Sequence, residues 1–162
     1  MGYYDTAQVC LNGHLINDNY NGHPEHNQEH CEKCGELTIA QCQSCNTPIR
    51  GSYEVEGVFD FSPARERAAN CCHNCGKPYP WTERGLKAAK ELADELEELA
   101  PQEREDLKKS LDELVKDSPK AEVAGFRFKK LMKKAGAGSI EVMKTVVSDL
   151  LSETLKKSVF GI

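Results

Sequence analysis

Eight side chains of this sequence fall into four ligand pairs: Cys10 with His14, Cys31 with Cys34, Cys42 with Cys45, and Cys72 with Cys75. A Cys-x-x-Cys spacing lets one tight turn aim two sulfurs at an ion ~2.3 Å away, with backbone N–H groups softening the thiolate charge. Glycine after the second cysteine, as at Gly35 and Gly76, eases the left-handed turn that such a knuckle needs. Asn12-Gly13 supplies a turn between Cys10 and His14. One pair alone is a weak signal, but eight ligands suffice for two tetrahedral ions. The chemistry they predict is two structural Zn2+ per chain. Four protein ligands on each ion leave no open position for water or substrate.

Sequential pairing puts Cys10, His14, Cys31 and Cys34 on one ion and Cys42, Cys45, Cys72 and Cys75 on the other. The 16 residues between the first two pairs and the 26 between the last two are each long enough for a β-hairpin, giving two tandem zinc ribbons. A cross-brace would join the first pair to the third. It usually needs a very short spacer between the second and third pairs, and here seven residues intervene. Cys71 can replace Cys72 in a wider pair with Cys75. The Cys72 reading repeats the spacing of the other knuckles, which leaves Cys71 as a partly buried thiol. His23, His26 and His30 lie in a polar loop and read as solvated side chains, with spare metal ligation the alternative. His73 sits inside a knuckle without the freedom to reach its ion.

These residues share one half of the chain. All eight cysteines, all five histidines and the single Trp81 fall within residues 1–82, which carry 5 basic and 10 acidic side chains. Eight cysteines without a signal segment predict metal in a reducing cytoplasm rather than a disulfide framework. No apolar run reaches the ~20 residues of a membrane-spanning helix. Residues 83–117 carry 7 basic and 12 acidic side chains, and residues 118–162 carry 9 and 4. An acidic block therefore precedes a basic one, the pattern of helices facing each other with complementary charge.

The elements follow the same division. Gly, Pro and Asn recur through the first half, and Leu37-Thr38-Ile39 and Tyr53-Glu54-Val55 read as strands. Thr82 reads as an N-cap, with Trp81 stapled onto Leu86. Leu86, Ala89, Ala93, Leu96 and Ala100 then keep a helical period. Pro101 opens a second helix through Leu107, Leu111, Leu114 and Val115. Ser118-Pro119 opens a third with Val123, Phe126, Phe128, Leu131 and Met132. After Gly136-Ala137-Gly138, Ser139 opens a fourth through Ile140, Met143, Val147, Leu150, Leu151 and Leu155. The predicted fold is a small zinc-stabilised β domain, residues 1–81, followed by an all-α domain of about four helices, residues 82–162.

Asn12-Gly13-His14, the Cys31–Gly35 knuckle, Pro48-Ile49-Arg50-Gly51 and the run from Cys72 through Trp81 to Glu83 also carry a resemblance. They are similar to an uncharacterised bacterial domain-of-unknown-function family with an N-terminal zinc-ribbon region and a helical tail. The resemblance spans nearly the whole chain. It implies a bacterial cytosolic protein and supports Cys72 over Cys71, and it brings no activity with it.

Three classes of function compete. A binding module uses rigid ribbons as a recognition surface and the helical tail to dock a protein partner or a second copy. The apolar end Val159-Phe160-Gly161-Ile162 either serves that docking or covers the tail's own core. Nucleic-acid binding has local support in Arg127-Phe128-Lys129-Lys130 with Lys133 and Lys134, and Arg50 beside Tyr53 offers one further contact. Seven thiolates outweigh two divalent ions, however, so the metallated half opposes phosphates. An enzyme lacks support: there is no phosphate loop, no nucleophile elbow and no histidine in the tail, and Asp60 and Glu66 make no carboxylate pair. Redox chemistry at Cys71 is the least remote option of that class.

Overall fold

The computed structural model describes residues 1–62, 65 and 67–162, so Glu66 lies outside the described residues. The chain divides into two compact units, Met1–Glu83 and Arg84–Ile162.

In the first unit, strands β1 (Tyr3–Thr6), β2 (Gln8–Cys10), β3 (Leu15–Asn17), β4 (Thr38–Ile39) and β5 (Arg50–Glu54) make two small antiparallel sheets. One pairs β1 with β5, and the other runs β3-β2-β4. Ala7, Val9, Ile49, Tyr79 and Trp81 form the core together with Cys42 and Cys72. Tyr79 and Trp81 stack at 4.6 Å between ring centroids, and the Trp81 indole N–H donates to the Ala69 carbonyl at 3.0 Å. Gly51 has a steric cause: a Cβ there would stand 2.0 Å from the Asp18 carbonyl oxygen. Asp5 is buried, and its carboxylate accepts from the Asn21 and Gly22 N–H groups and from the Asn21 amide. The loop following β3 is thereby pinned under β1.

Arg50 reaches Tyr4 rather than Tyr53, with its guanidinium 4.7 Å from the Tyr4 ring centre. Tyr4 and Tyr53 are paired across the β1–β5 ladder, with ring centroids 4.9 Å apart.

Five α-helices follow, not four: α1 (Pro80–Asp94), α2 (Pro101–Leu114), α3 (Pro119–Ala135), α4 (Ala137–Val147) and α5 (Glu153–Phe160). Helix α1 begins at Pro80, so Thr82 lies inside it and is not its N-cap. The Thr82 hydroxyl instead donates to the Asn70 carbonyl at 2.7 Å, and Trp81 packs into the first unit's core. Pro80 at the first helical position explains the earlier start, because its missing N–H costs nothing there. Nor does α1 reach Ala100. Pro101 holds Ala100 extended, at φ −62° and ψ 156°, and the chain leaves the helix after Asp94 while still burying Leu96 and Leu99.

The expected fourth helix breaks at Ser148–Leu150, a single 3-10 turn, and restarts with Ser152 as N-cap, whose Oγ accepts from Leu155 N–H at 3.3 Å. The break allows the adjacent Leu150 and Leu151 both to be buried. On α3 the buried stripe is Ala121, Ala124, Phe128, Met132 and Ala135. Val123 and Phe126 lie about 150° around the helix from the middle of that stripe and are exposed. Val159 is buried in the helical core, and Phe160 meets Phe128 edge-on at 5.8 Å. Val159 and Phe160 thus cover their own unit, whereas Ile162 is exposed. Lys134 on α3 joins Glu103 on α2 at 2.7 Å, an ion pair between the basic and acidic blocks. Other pairs, such as Lys90 with Asp112, stay inside the acidic block.

Candidate metal centres

Three of the four ligand pairs are built by the same backbone pattern. In each Cys-x-x-Cys knuckle the first cysteine's N–H donates to the carbonyl five residues on: Cys31 to Glu36, Cys42 to Thr47 and Cys72 to Lys77, at 2.8–2.9 Å. Its carbonyl accepts from the N–H four residues on, at Gly35, Asn46 and Gly76. A third bond closes each hairpin, from Thr38 to Glu29, from Ile49 to Ala40 and from Tyr79 to Asn70. Gly35, Asn46 and Gly76 share the left-handed region at φ 73°, 59° and 72°. Asn46 is therefore the middle knuckle's counterpart of the two glycines, and a search for glycine alone misses it. Asn is the other residue that enters this region readily, because its short polar side chain bonds locally.

The first pair uses a variant turn. Gly13 N–H donates to the Cys10 carbonyl at 2.9 Å, and Cys10 N–H donates to the His14 carbonyl at 3.0 Å. Gly13 takes φ 91° against Trp81, whose Cβ would be 2.9 Å from a Cβ at position 13.

The knuckles gather into two tetrads, Cys10–His14–Cys31–Cys34 and Cys42–Cys45–Cys72–Cys75. The structure thus joins the first pair to the second and the third to the fourth. In the first tetrad Cys10 Sγ lies 3.4 Å from His14 Nδ1 and 3.8 Å from Cys34 Sγ, and Cys31 Sγ lies 3.5 Å from His14 Nδ1. In the second, Cys42 to Cys75 and Cys45 to Cys72 both measure 3.7 Å between sulfurs. A tetrahedron with metal–sulfur bonds of ~2.3 Å and metal–nitrogen bonds of ~2.0–2.1 Å has edges of ~3.8 Å between sulfurs and ~3.6 Å from sulfur to nitrogen. Both tetrads can hold a metal ion at that scale, and all their cysteines are free of disulfides.

The electrostatics fit the same use. The Glu36 backbone N–H lowers the Cys34 thiol to about 6, and the Thr47 hydroxyl and N–H, with the Asn74 amide, lower Cys45 to about 6. Lys77 N–H favours the Cys75 thiolate, but burial and three neighbouring sulfurs push that thiol up to about 11. Four sulfurs this close cannot all ionise unless a cation stands among them. Two supporting residues escape sequence reasoning. Asn74 directs its side-chain amide at Cys45 Sγ across the tetrad, 3.7 Å away. Tyr79 is buried with its hydroxyl on Cys72, and burial and that thiolate hold the phenol well above its usual range, neutral and able to donate. The signal for Tyr79 was present as an aromatic just after the last knuckle; its partner is set only by the fold.

Cys71 belongs to neither tetrad and is exposed, not partly buried. It pairs with Pro78 in an isolated bridge, as His30 pairs with Leu37 and Gln41 with Pro48. Each of these residues immediately precedes a buried ligand, and alternation along the extended chain turns it outward. His23 and His26 come together with Glu25, and His30 and His73 join no such group among the described residues.

A family model described as "Uncharacterized protein conserved in bacteria (DUF2321)" matches residues 3–159. The chain belongs to this family. No curated protein and no solved structure matches it. Both tetrads and all five helices of this DUF2321 member lie almost wholly inside the matched region. No helix among the described residues is long and apolar enough to cross a membrane.

Proposed function

We propose that this protein is a cytoplasmic, non-enzymatic zinc module, an adaptor in which two structural Zn2+ ions hold a rigid recognition unit and the helical unit docks a protein. The observation that carries the reading is the closure of both tetrads by four protein ligands each. An ion so enclosed contributes folding energy, ~10–16 kcal/mol of apparent binding in small zinc peptides, and offers substrate no site. A unit whose core rests on Ala7, Val9, Ile49, Tyr79 and Trp81 depends on such a contribution. On α3, Val123 and Phe126 stand 54% and 72% exposed, one turn apart, and give the helical unit an apolar contact that its own core does not use.

The competing reading is nucleic-acid binding through the basic face of 127–134. Lys134 is engaged by Glu103 and Phe128 is buried, which removes one cation and one ring from that face. Purification of the untagged protein from its host discriminates the two. A stoichiometric protein that Phe126→Asp releases, with two zinc ions per chain, supports the adaptor. Nucleic acid released steeply by salt, and lost when Lys129, Lys130, Lys133 and Lys134 are changed to Glu, refutes it.

A further inference from the structure

Among the described residues, one group of potential ligands converges besides the two tetrads. His23, Glu25 and His26 lie on the single 3-10 turn Pro24–His26, with one donor atom of each within 4.8 Å of the others. Glu25 Oε1 stands between the imidazoles, 3.0 Å from His23 Nδ1 and 3.8 Å from His26 Nε2. Ligands bound to one ion at ~2.0–2.2 Å, at tetrahedral or octahedral angles, lie ~3.0–3.5 Å apart. His23 and Glu25 already stand at that spacing, and side-chain rotation of exposed His26 is needed to bring the third donor in.

The turn that carries them is held from below. Pro24 fixes the entry, His26 N–H donates to the His23 carbonyl at 3.2 Å, and Asn27 N–H donates to the Pro24 carbonyl at 3.1 Å. Buried Asn17 donates to the His23 carbonyl at 2.9 Å, and Asn27 donates to the Tyr20 carbonyl at 3.1 Å. Asp5 anchors the preceding residues Asn21 and Gly22. The backbone is therefore ordered before any ion arrives, and little loop entropy remains to be lost on binding. All three side chains are exposed, so the site opens to solvent. A cavity beside Glu25 and His26 is lined further by Asn17, Asp18, Gln28 and Arg65, with space for the waters that complete a shell.

We infer that His23, Glu25 and His26 form a third metal site, an open two-histidine, one-carboxylate site for a borderline divalent cation of the zinc class. Imidazole with carboxylate selects such ions over Ca2+ and Mg2+, which prefer all-oxygen shells. Three protein ligands leave positions for water, so this ion exchanges with solvent whereas the tetrad ions are enclosed. The sequence marks the site as His-Pro-Glu-His, with the proline supplying the turn that converges the side chains.

The test is a Zn2+ titration of the full-length protein, first brought to its tightly held zinc content by gel filtration, against a chromophoric chelator. One further Zn2+ is expected to bind the wild-type chain. Its affinity should fall at least ~10-fold in His23→Ala and in His26→Ala, since even outer-sphere changes cost 10–100-fold. Glu25→Gln should weaken it as well, and His30→Ala should leave it unchanged. Absence of the additional ion, or equal affinity in the wild type and both histidine variants, overturns the assignment. The tightly held zinc content of every variant is read in the same experiment. A deficit there strikes the two-tetrad reading and not this one.

Discussion

Gly35, Asn46 and Gly76 give the sharpest test of how backbone conformation supports metal binding. A Cβ added at Gly35 or Gly76 meets nothing within 4 Å, so alanine there costs only the left-handed backbone, about 1–2 kcal/mol. Ligand-site formation and folding of a knuckle are one process, so the cost passes into metal affinity. It corresponds to about 5- to 30-fold weaker zinc at the affected tetrad. Gly35→Ala should weaken the Cys10–His14–Cys31–Cys34 site alone, and Gly76→Ala the Cys42–Cys45–Cys72–Cys75 site alone. Asn46→Ala should act on the second site with a smaller loss, and Asn46→Gly should be neutral there. Chelator competition gives the affinities, and Co2+ substitution separates a three-sulfur site from a four-sulfur one by its absorption bands. Affinities within twofold of wild type for both alanine variants, or loss at the wrong tetrad, refute the reasoning.

Cys31→Ser and Cys72→Ser should each leave one zinc per chain by elemental analysis, and Co2+ spectra should show a different survivor in each; the same survivor in both means that the tetrads share ligands. Exhaustive chelation should erase the near-ultraviolet signal of Trp81 and Tyr79 while far-ultraviolet dichroism keeps the helices, because residues 84–162 contain neither Cys nor His; full loss of helix signal overturns this. Burial would raise the Asp5 carboxyl, but the N–H groups of Thr6, Asn21 and Gly22 and the Asn21 amide hold it below 3.8. Its contribution to stability is then complete above that value and fades as pH falls towards the lower folded-state value. Asp5→Asn should destabilise by about 1–3 kcal/mol at pH 7, with the gap to wild type closing below pH 3.8. Acid release of metal unfolds the unit in both proteins, so the gap is read above the pH of release, and a gap that already closes well above pH 3.8 refutes the assignment.

Ligand pairs are readable in the sequence because a Cys-x-x-Cys knuckle is local: ten consecutive residues make its three backbone bonds. The pairing of Cys10 and His14 with the second knuckle needed only spacer lengths. Reading the helices as an unbroken apolar period hid two breaks. Pro101 acts backwards on Ala100, and Ser152 caps a new helix within what looked like one stripe. Exposure of Val123 and Phe126 could not be read because alanines take the buried face of α3, and small residues weigh little in an apolar period. The support of the tetrads and of the His23 loop comes from Tyr79, Asn74, Asp5 and Asn17, polar side chains that find their partners only after the chain has folded.

The order of the ligands along the chain also has a consequence for synthesis. Each tetrad is complete within its own stretch, 10–34 and then 42–75, with no ligand shared or interleaved. A nascent chain emerging from the ribosome exposes all four groups of the first site before any group of the second has emerged. An ion bound there would close a loop of roughly 25 residues at a modest entropic cost, before the cysteines of the second site have emerged to compete for it. An interleaved arrangement would keep two half-filled sites waiting for one another, with unpaired thiols open to mis-ligation. This order lets metallation keep pace with the emergence of the chain, and the second site emerges complete before residues 84–162 do.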